Sequence, residues 1–227
     1  MKVEIFTAIK NEEDILPFFI NHYINAFPEC IINIYDNNST DKSVEICKAN
    51  NCNVFNFPDF IPYVKEELLT DLKNNIWKNS NADWIIVCDV DELLDISMSD
   101  LLHLQENVSI IKTQGYNMID VTEDDLPIEK LTYAAPSESY SKLVMFKNKI
   151  INEINYSLGA HTANPQPNPV YSNGIYKLLH YNSKNFTLKN LLKFFLLLNL
   201  DKTQIESLKS SCNIVFNDYL SKAIKVL

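Results

Sequence analysis

Ala82-Asp83-Trp84-Ile85-Ile86-Val87-Cys88-Asp89-Val90-Asp91-Glu92 runs an apolar segment of strand length straight into three carboxylates. A strand built only for the core has no reason to end that way. Carboxylates so close together repel one another and raise each other's pKa unless a cation lies between them. Two Asp at i and i+2 followed by Glu therefore point to a hard-metal site on oxygen ligands. The plain alternative is a strand leaving the core through a solvated acidic turn. Against it, other strands of the chain end in the same polar manner.

Working back from Asp89, strands and helices alternate. The pattern predicts a strand over Lys2 to Ile9 and an amphipathic helix over Glu12 to Ala26, carrying Ile15, Leu16, Phe18, Phe19, Tyr23 and Ile24. It predicts further strands over Ile31 to Tyr35 and Asn53 to Phe57, and helices over Ser43 to Asn50, capped by Ser39 or Thr40, and Tyr63 to Lys78. This order implies an α/β fold with a mainly parallel sheet, right-handed crossovers and helices on both faces. Ligands of such sheets bind beyond the carboxyl ends of the strands. Here those ends read Lys10-Asn11-Glu12, Asp36-Asn37-Asn38-Ser39-Thr40-Asp41, Pro58-Asp59 and Asp89-Val90-Asp91-Glu92.

Composition narrows the ligand. The 227 residues are 46% hydrophobic, ample for a core, and the net charge of −9 argues against nucleic acid as a partner. All 20 basic residues are Lys, so phosphate recognition by guanidinium is unavailable and falls to Lys, His, backbone amides and a cation. The three glycines, Gly115, Gly159 and Gly174, make no phosphate loop. Five Cys without a CxxC pair or zinc spacing, and an N-terminus that enters a strand at once, predict a cytoplasmic protein. Cys88 reads as a small core residue. A rim of acceptors with a divalent ion suits a nucleotide diphosphate.

The set Lys10-Asn11-Glu12-Glu13, Tyr35 to Asp41, and Ala82-Asp83-Trp84 through Asp91-Glu92-Leu93-Leu94 resembles family 2-like glycosyltransferases of the GT-A fold, whose metal-binding DxD the Asp89-Val90-Asp91 motif matches. The resemblance continues through Gln114 to Met118, Tyr140-Ser141-Lys142, Ile154 to His161 and Leu178-Leu179-His180-Tyr181. It makes 1-182 a catalytic domain and leaves 183-227 as a helical C-terminal extension. It implies metal-dependent transfer, inverting, from a nucleotide diphosphate-sugar such as a UDP-sugar to a glycan or lipid-linked acceptor, with Mn2+ or Mg2+ as cofactor.

Carried onto this chain, the resemblance places Ala8, Asn11, Glu12, Asp36, Asn38, Lys65 and Asp89 around the donor, with Asp89, Asp91 and His180 on the metal. Lys65 could meet the pyrophosphate but reads better as a solvated Lys at a helix start; Glu92 either orients the acceptor or, better, hydrogen-bonds the turn; and Ser39, Thr40 and Asp41 read as helix caps. His22 and His103 read as structural or exposed. His161 is assigned to the acceptor side. An inverting transfer also needs a base. Asp120, Glu123, Asp124, Asp125 and Glu153 are the candidates, with Asp124 and Glu153 preferred, whereas a retaining enzyme would need none. The loop Asn164-Pro165-Gln166-Pro167-Asn168-Pro169 reads as a stiff lid that donor binding orders.

Residues 186-200 are too short a run for a bilayer span. They suit either packing on the domain or a subunit, or peripheral contact with an anionic membrane. Thr203 to Leu227 reads as a further amphipathic helix. Two other readings stand beside the first: a haloacid dehalogenase-type phosphatase, which also uses a strand ending in DxD but after its first strand, and a non-catalytic relative that binds a nucleotide-sugar.

Overall fold

The computed structural model describes residues 1–57, 66–119, 127–181 and 224–226. The first half is the predicted alternation. Strand β1 (Val3–Ile9) is followed by α1 (Leu16–Ala26), β2 (Ile31–Asp36), α2 (Ser43–Ala49), β3 (Asn53–Asn56), α3 (Glu66–Asn75) and β4 (Trp84–Val87). Helix α1 starts four residues later than the periodicity suggests. Glu12 to Ile15 instead form a turn whose Glu12 carbonyl accepts from the N–H groups of both Ile15 and Leu16.

The second half adds β5 (Glu92–Asp95), α4 (Met98–Leu102), β6 (Ile110–Ile119), β7 (Tyr133–Pro136), β8 (Met145–Lys147), β9 (Tyr171–His180) and β10 (Ile224–Lys225). The sheet order is β3-β2-β1-β4-β8-β6-β7-β10, with β9 paired to β6 and β5 to β9. The block β3-β2-β1-β4 is parallel, as βαβ crossovers require, and β8 joins β4 antiparallel. This is a mixed, Rossmann-like sheet with a parallel block at one side, as the alternation of elements predicts.

Both faces of β4 are buried, and the period of two divides its side chains between two cores. Trp84, Ile86 and Cys88 join Val3, Ile5, Phe19 and Tyr23 beneath α1. Ile85 and Val87 join Phe6, Trp77 and Phe146 on the opposite face. Cys88 is a core thiol, as predicted, with its sulfur 3.5 Å from the Tyr23 hydroxyl. That hydroxyl donates to the Glu92 carbonyl and accepts from Leu94 N–H, so α1 anchors the strand that follows the acidic turn.

Two expectations change in the second half. The segment Asn164 to Pro169 is tied to the chain before it rather than standing off as a lid: Gln166 N–H donates to the Glu153 carbonyl at 2.7 Å, and Asn152 N–H to the Gln166 carbonyl at 2.8 Å. Three prolines exclude a helix, yet Gln166 keeps both backbone groups for pairing. At Ile224–Lys225, where a helix is expected, the chain is instead a short strand antiparallel to β7. Val226 is buried and donates its N–H to the Thr132 carbonyl. The remainder of the extension, including 186-200, lies outside the described residues. Among those described, no helix is long and apolar enough to cross a membrane.

Gly115 of β6 lies against backbone: an added Cβ would sit 2.2 Å from the carbonyl carbon of Tyr140. Neither strand nor turn can yield without breaking the Ser137 N–H bond to the Gly115 carbonyl. Gly115→Ala is therefore expected to destabilise the protein by about 1–3 kcal/mol, measured as a lower denaturation midpoint, and to displace Tyr140 and Lys142.

Candidate active site

Asp89 follows β4 and its carboxylate is held by two ammonium groups. Lys73 Nζ, from the buried face of α3, lies 2.6 Å from one oxygen, and Lys142 Nζ lies 3.0 Å from the other. Lys142 also reaches Glu92 Oε1 at 2.7 Å, and Glu92 is wholly buried. Burial opposes ionisation of Asp89, but the two lysines overcome it and bring its pKa down to about 2. The same burial, with Asp89 beside it, raises that of Glu92 despite Lys142. Glu92 also takes the N–H of Asp89 on Oε2, so it shapes the acidic turn from within.

Asp91 points to a different partner. His180 ends β9, which pairs antiparallel with β5 so that Glu92 lies opposite His180, and Tyr181 N–H donates to the Asp91 carbonyl at 2.7 Å. His180 Nε2 consequently sits 3.3 Å from Asp91 Oδ2. The other ring nitrogen, Nδ1, is 2.9 Å from Asn117 Oδ1, an acceptor that requires N–H there. In the neutral ring this leaves the Nε2 lone pair facing a carboxylate, and two acceptors so placed call for a proton or a cation. Tyr140 stacks on the imidazole with centroids 3.7 Å apart, fixing the ring plane.

The expected metal set Asp89, Asp91 and His180 is thus divided. Both oxygens of Asp89 already face lysines, and among the described residues no group of three or more His, Cys, Asp or Glu gathers as a metal cage. What remains is one carboxylate and one imidazole oriented through its far nitrogen, a pair that fits a divalent ion able to take further ligands from a bound molecule.

Around this centre lies a cleft of about 540 Å3 lined by Lys73, Asp89, Asp91, Lys142, His161 and His180, with Glu66, Leu158 and Gly159 at its mouth. His161 Nδ1 is 2.9 Å from the Ser139 carbonyl, which can only accept, so Nδ1 carries the proton and Nε2 is left basic in the neutral ring. Gly159 has φ 74°, and an added Cβ would meet the imidazole at 3.0 Å; the ring packs directly on this glycine.

Glu12 lies close enough to Asp91 to feel its charge. Burial first, then Asp91, Asp41 and Asp14, push its pKa up to about 7. Its N–H donates to Ser43 Oγ, while Asn11 N–H donates to Ser39 Oγ and Asn11 Oδ1 accepts from Thr40 N–H at 2.7 Å. Asn11 and Asn38 both adopt left-handed φ, at 57° and 54°. Ser39 and Thr40 therefore fasten the β1 loop to the β2 loop rather than cap α2, whose first N–H groups turn to Asp41: its Oδ1 accepts from Ser43 N–H. Asp36 accepts the Ser39 N–H, and Ala8 lies in β1 beside Tyr35 of β2.

Glu153 is not brought to the cleft; both its oxygens bind Lys78 Nζ, at 2.9 and 2.7 Å, on another face. His22 and His103 each bond a backbone carbonyl, of Leu94 and Ser99. Lys65, Asp120, Glu123, Asp124 and Asp125 lie outside the described residues.

Sequence reasoning assigned no role to Lys73, Asn117, Tyr140 or Lys142. For Lys73 a signal existed, since it falls four residues after Leu69 on the buried face of α3, where an unpaired Lys is untenable.

Residues 4–112 match the model of the glycosyl transferase family 2. This stretch is similar to a family 2 glycosyltransferase domain. The match takes in Glu12, Asp36, Lys73, Asp89 and Asp91, while Lys142, His161 and His180 lie beyond it. A search of the curated proteins finds no match. Among solved structures the chain is similar to S. aureus TarS, at 14% identity and TM-score 0.47, covering 90% of this chain and 41% of that one. It is similar to TarS 1-349 in complex with UDP-GlcNAc, at 14% identity and TM-score 0.44, covering 93% and 71%. A third is glucosyl-3-phosphoglycerate synthase from Mycobacterium tuberculosis with Mn2+, UDP and phosphoglyceric acid, at 12% identity and TM-score 0.43, covering 70% and 61%. The chain thus spans 41% of the length of the full TarS chain.

The lysine bridge gives a direct test. Lys142→Met leaves Glu92 buried without its cation and should cost about 3–5 kcal/mol at neutral pH, read by chemical denaturation. Because the folded-state pKa of Glu92 is raised, its protonation favours the folded state, so the deficit should shrink as pH falls through the acidic range. Adding Glu92→Gln to the variant should recover part of the loss at pH 7.

Proposed function

We propose that this chain transfers a sugar from a nucleotide diphosphate-sugar, a UDP-sugar, to a hydroxyl of a glycan or lipid-linked saccharide, with inversion and with a divalent metal ion, Mn2+ or Mg2+. The observation that carries the reading is the pairing of Asp91 with an oriented His180 beside two lysines that face the cleft, all at the carboxyl end of β4 in a stretch similar to a family 2 domain. Asp91 and His180 would hold the ion, which when bound supplies a Lewis acid for the diphosphate leaving group.

The remaining steps belong to the chain's own residues. Lys73 and Lys142 bring two positive charges to the cleft of a protein with no Arg, and they can stabilise negative charge that develops on a departing diphosphate. The loops carrying Asn11, Glu12, Asp36 and Asn38, locked to each other, form the nucleoside side. His161 lines the cleft and, in the neutral ring, keeps Nε2 as its acceptor, and we assign it to receive the proton of the acceptor hydroxyl, with Asp124 the other candidate. Glu153, held by Lys78, is not assigned a part.

Calorimetry with UDP, with and without Mn2+, followed by donor-hydrolysis assays with a panel of UDP-sugars, tests the reading. Metal-dependent UDP binding is expected, and its absence across the nucleotide diphosphates would overturn it. Asp91→Asn should remove the metal-dependent part of binding and turnover with little change in melting temperature, because it deletes one charge from an acidic turn.

His161→Ala should lower kcat by about 100-fold or more while leaving UDP affinity unchanged, the pattern of a lost proton acceptor. An unchanged kcat in the variant would transfer the role to another group.

A further inference from the structure

The far end of α2 brings together two sulfur atoms that take no part in the cleft. The helix ends with Asn51 in the left-handed region at φ 59°. Asn51 N–H donates to the Lys48 carbonyl at 3.2 Å, and Cys52 N–H to the Cys47 carbonyl at 3.0 Å. These two bonds define a Schellman cap, in which the residue after the left-handed one packs on the third-last residue of the helix, usually as an apolar contact. Here both members of that contact are cysteines.

The cap sets the two thiols against each other: the interaction with Cys52, reinforced by burial, pushes the Cys47 pKa up, and the same interaction lowers that of Cys52 against the effect of burial. Cys47 is fully buried, whereas Cys52 is partly exposed at the start of β3, an edge strand of the sheet. The accessible thiol is therefore the more readily ionised of the two, with the buried one behind it. The remaining described thiols are unlike this pair: burial raises Cys30 to about 11, and Cys88 is sealed in the core.

We propose that Cys47 and Cys52 form a redox modification site, a dithiol that hydroperoxides oxidise to an intramolecular disulfide. The Cys52 thiolate attacks the terminal peroxide oxygen; an S–O bond forms, the O–O bond breaks, and the departing oxygen takes a proton and leaves as an alcohol, or as water from hydrogen peroxide. The Cys47 sulfur then attacks the sulfenic sulfur, the S–S bond forms, and the hydroxyl leaves as water with the Cys47 proton. Two thiols and one peroxide become one disulfide and two waters when the peroxide is hydrogen peroxide. The backbone bond from Cys52 N–H to the Cys47 carbonyl holds the two main chains side by side, the arrangement a disulfide needs, since it spans a Cα separation of about 4.4–6.8 Å. The product closes the last turn of α2 covalently onto the first residues of β3.

The test uses the full chain treated with hydrogen peroxide, alkylated and digested for mass spectrometry. Two of the five thiols should be lost, a peptide linking Cys47 to Cys52 should appear, and dithiothreitol should restore both. In Cys47→Ser, Cys52 should be captured as a sulfenic acid by a cyclic dione, and no link should form. Three results would overturn the proposal: sulfinic acid on Cys52 with Cys47 still alkylated, a disulfide from Cys52 to any other cysteine, or a full thiol count at peroxide levels that oxidise a small thiol. None depends on transferase activity, so the proposal stands or falls separately from the function proposed above.

Discussion

Lys142 lies between two carboxylates, and the architecture of the cleft depends on that placement. Glu92 is fully buried, Asp89 is partly so, and the ammonium of Lys142 touches both. Without it the chain would hold adjacent buried charges of one sign, which proteins do not tolerate. Lys73 completes the compensation from α3. The charges of this cluster hold four separate elements in register: the end of β4, the start of β5, the last turn of α3 and the turn after β7.

The cluster also defines the chemistry the cleft can perform. Asp89 is occupied by lysines, so negative charge entering the cleft meets cations on that side. On the other side, Asp91 and His180 present an acceptor pair that calls for a cation. A molecule with both an anionic group and a bound metal ion satisfies both sides at once, and a nucleotide diphosphate is such a molecule. Glu12, with its raised pKa, adds the response of a third carboxylate that feels Asp91 across the rim.

Much of this was legible in the sequence, though not evenly. The parallel half was readable because each strand and helix carries its own period, and helix and strand positions shift by only a few residues. The start of α1 differs because the Glu12 carbonyl draws two N–H groups into a turn before the helix begins. Ser39 and Thr40 suggest a cap by residue type, but the neighbouring loop offers Asn11, whose backbone and side chain bond both of them. A lid was expected from the prolines, yet backbone pairing at Gln166 decides the segment's path, and pairing partners are not written in local composition.

The sequence by itself determined the α/β class, the acidic turn after a buried strand and the polar ends of β1 and β2, because these follow from local periodicity and residue chemistry. It also determined that any anion the cleft takes is met without Arg. Tertiary structure alone decided which Lys, of 20, face Asp89, since only the packing of α3 and the turn after β7 brings Lys73 and Lys142 to it. It likewise decided that His180 reaches Asp91 across 89 positions of sequence, through the antiparallel register of β5 on β9. Register and burial are properties of pairs of elements, and no single stretch of chain contains them.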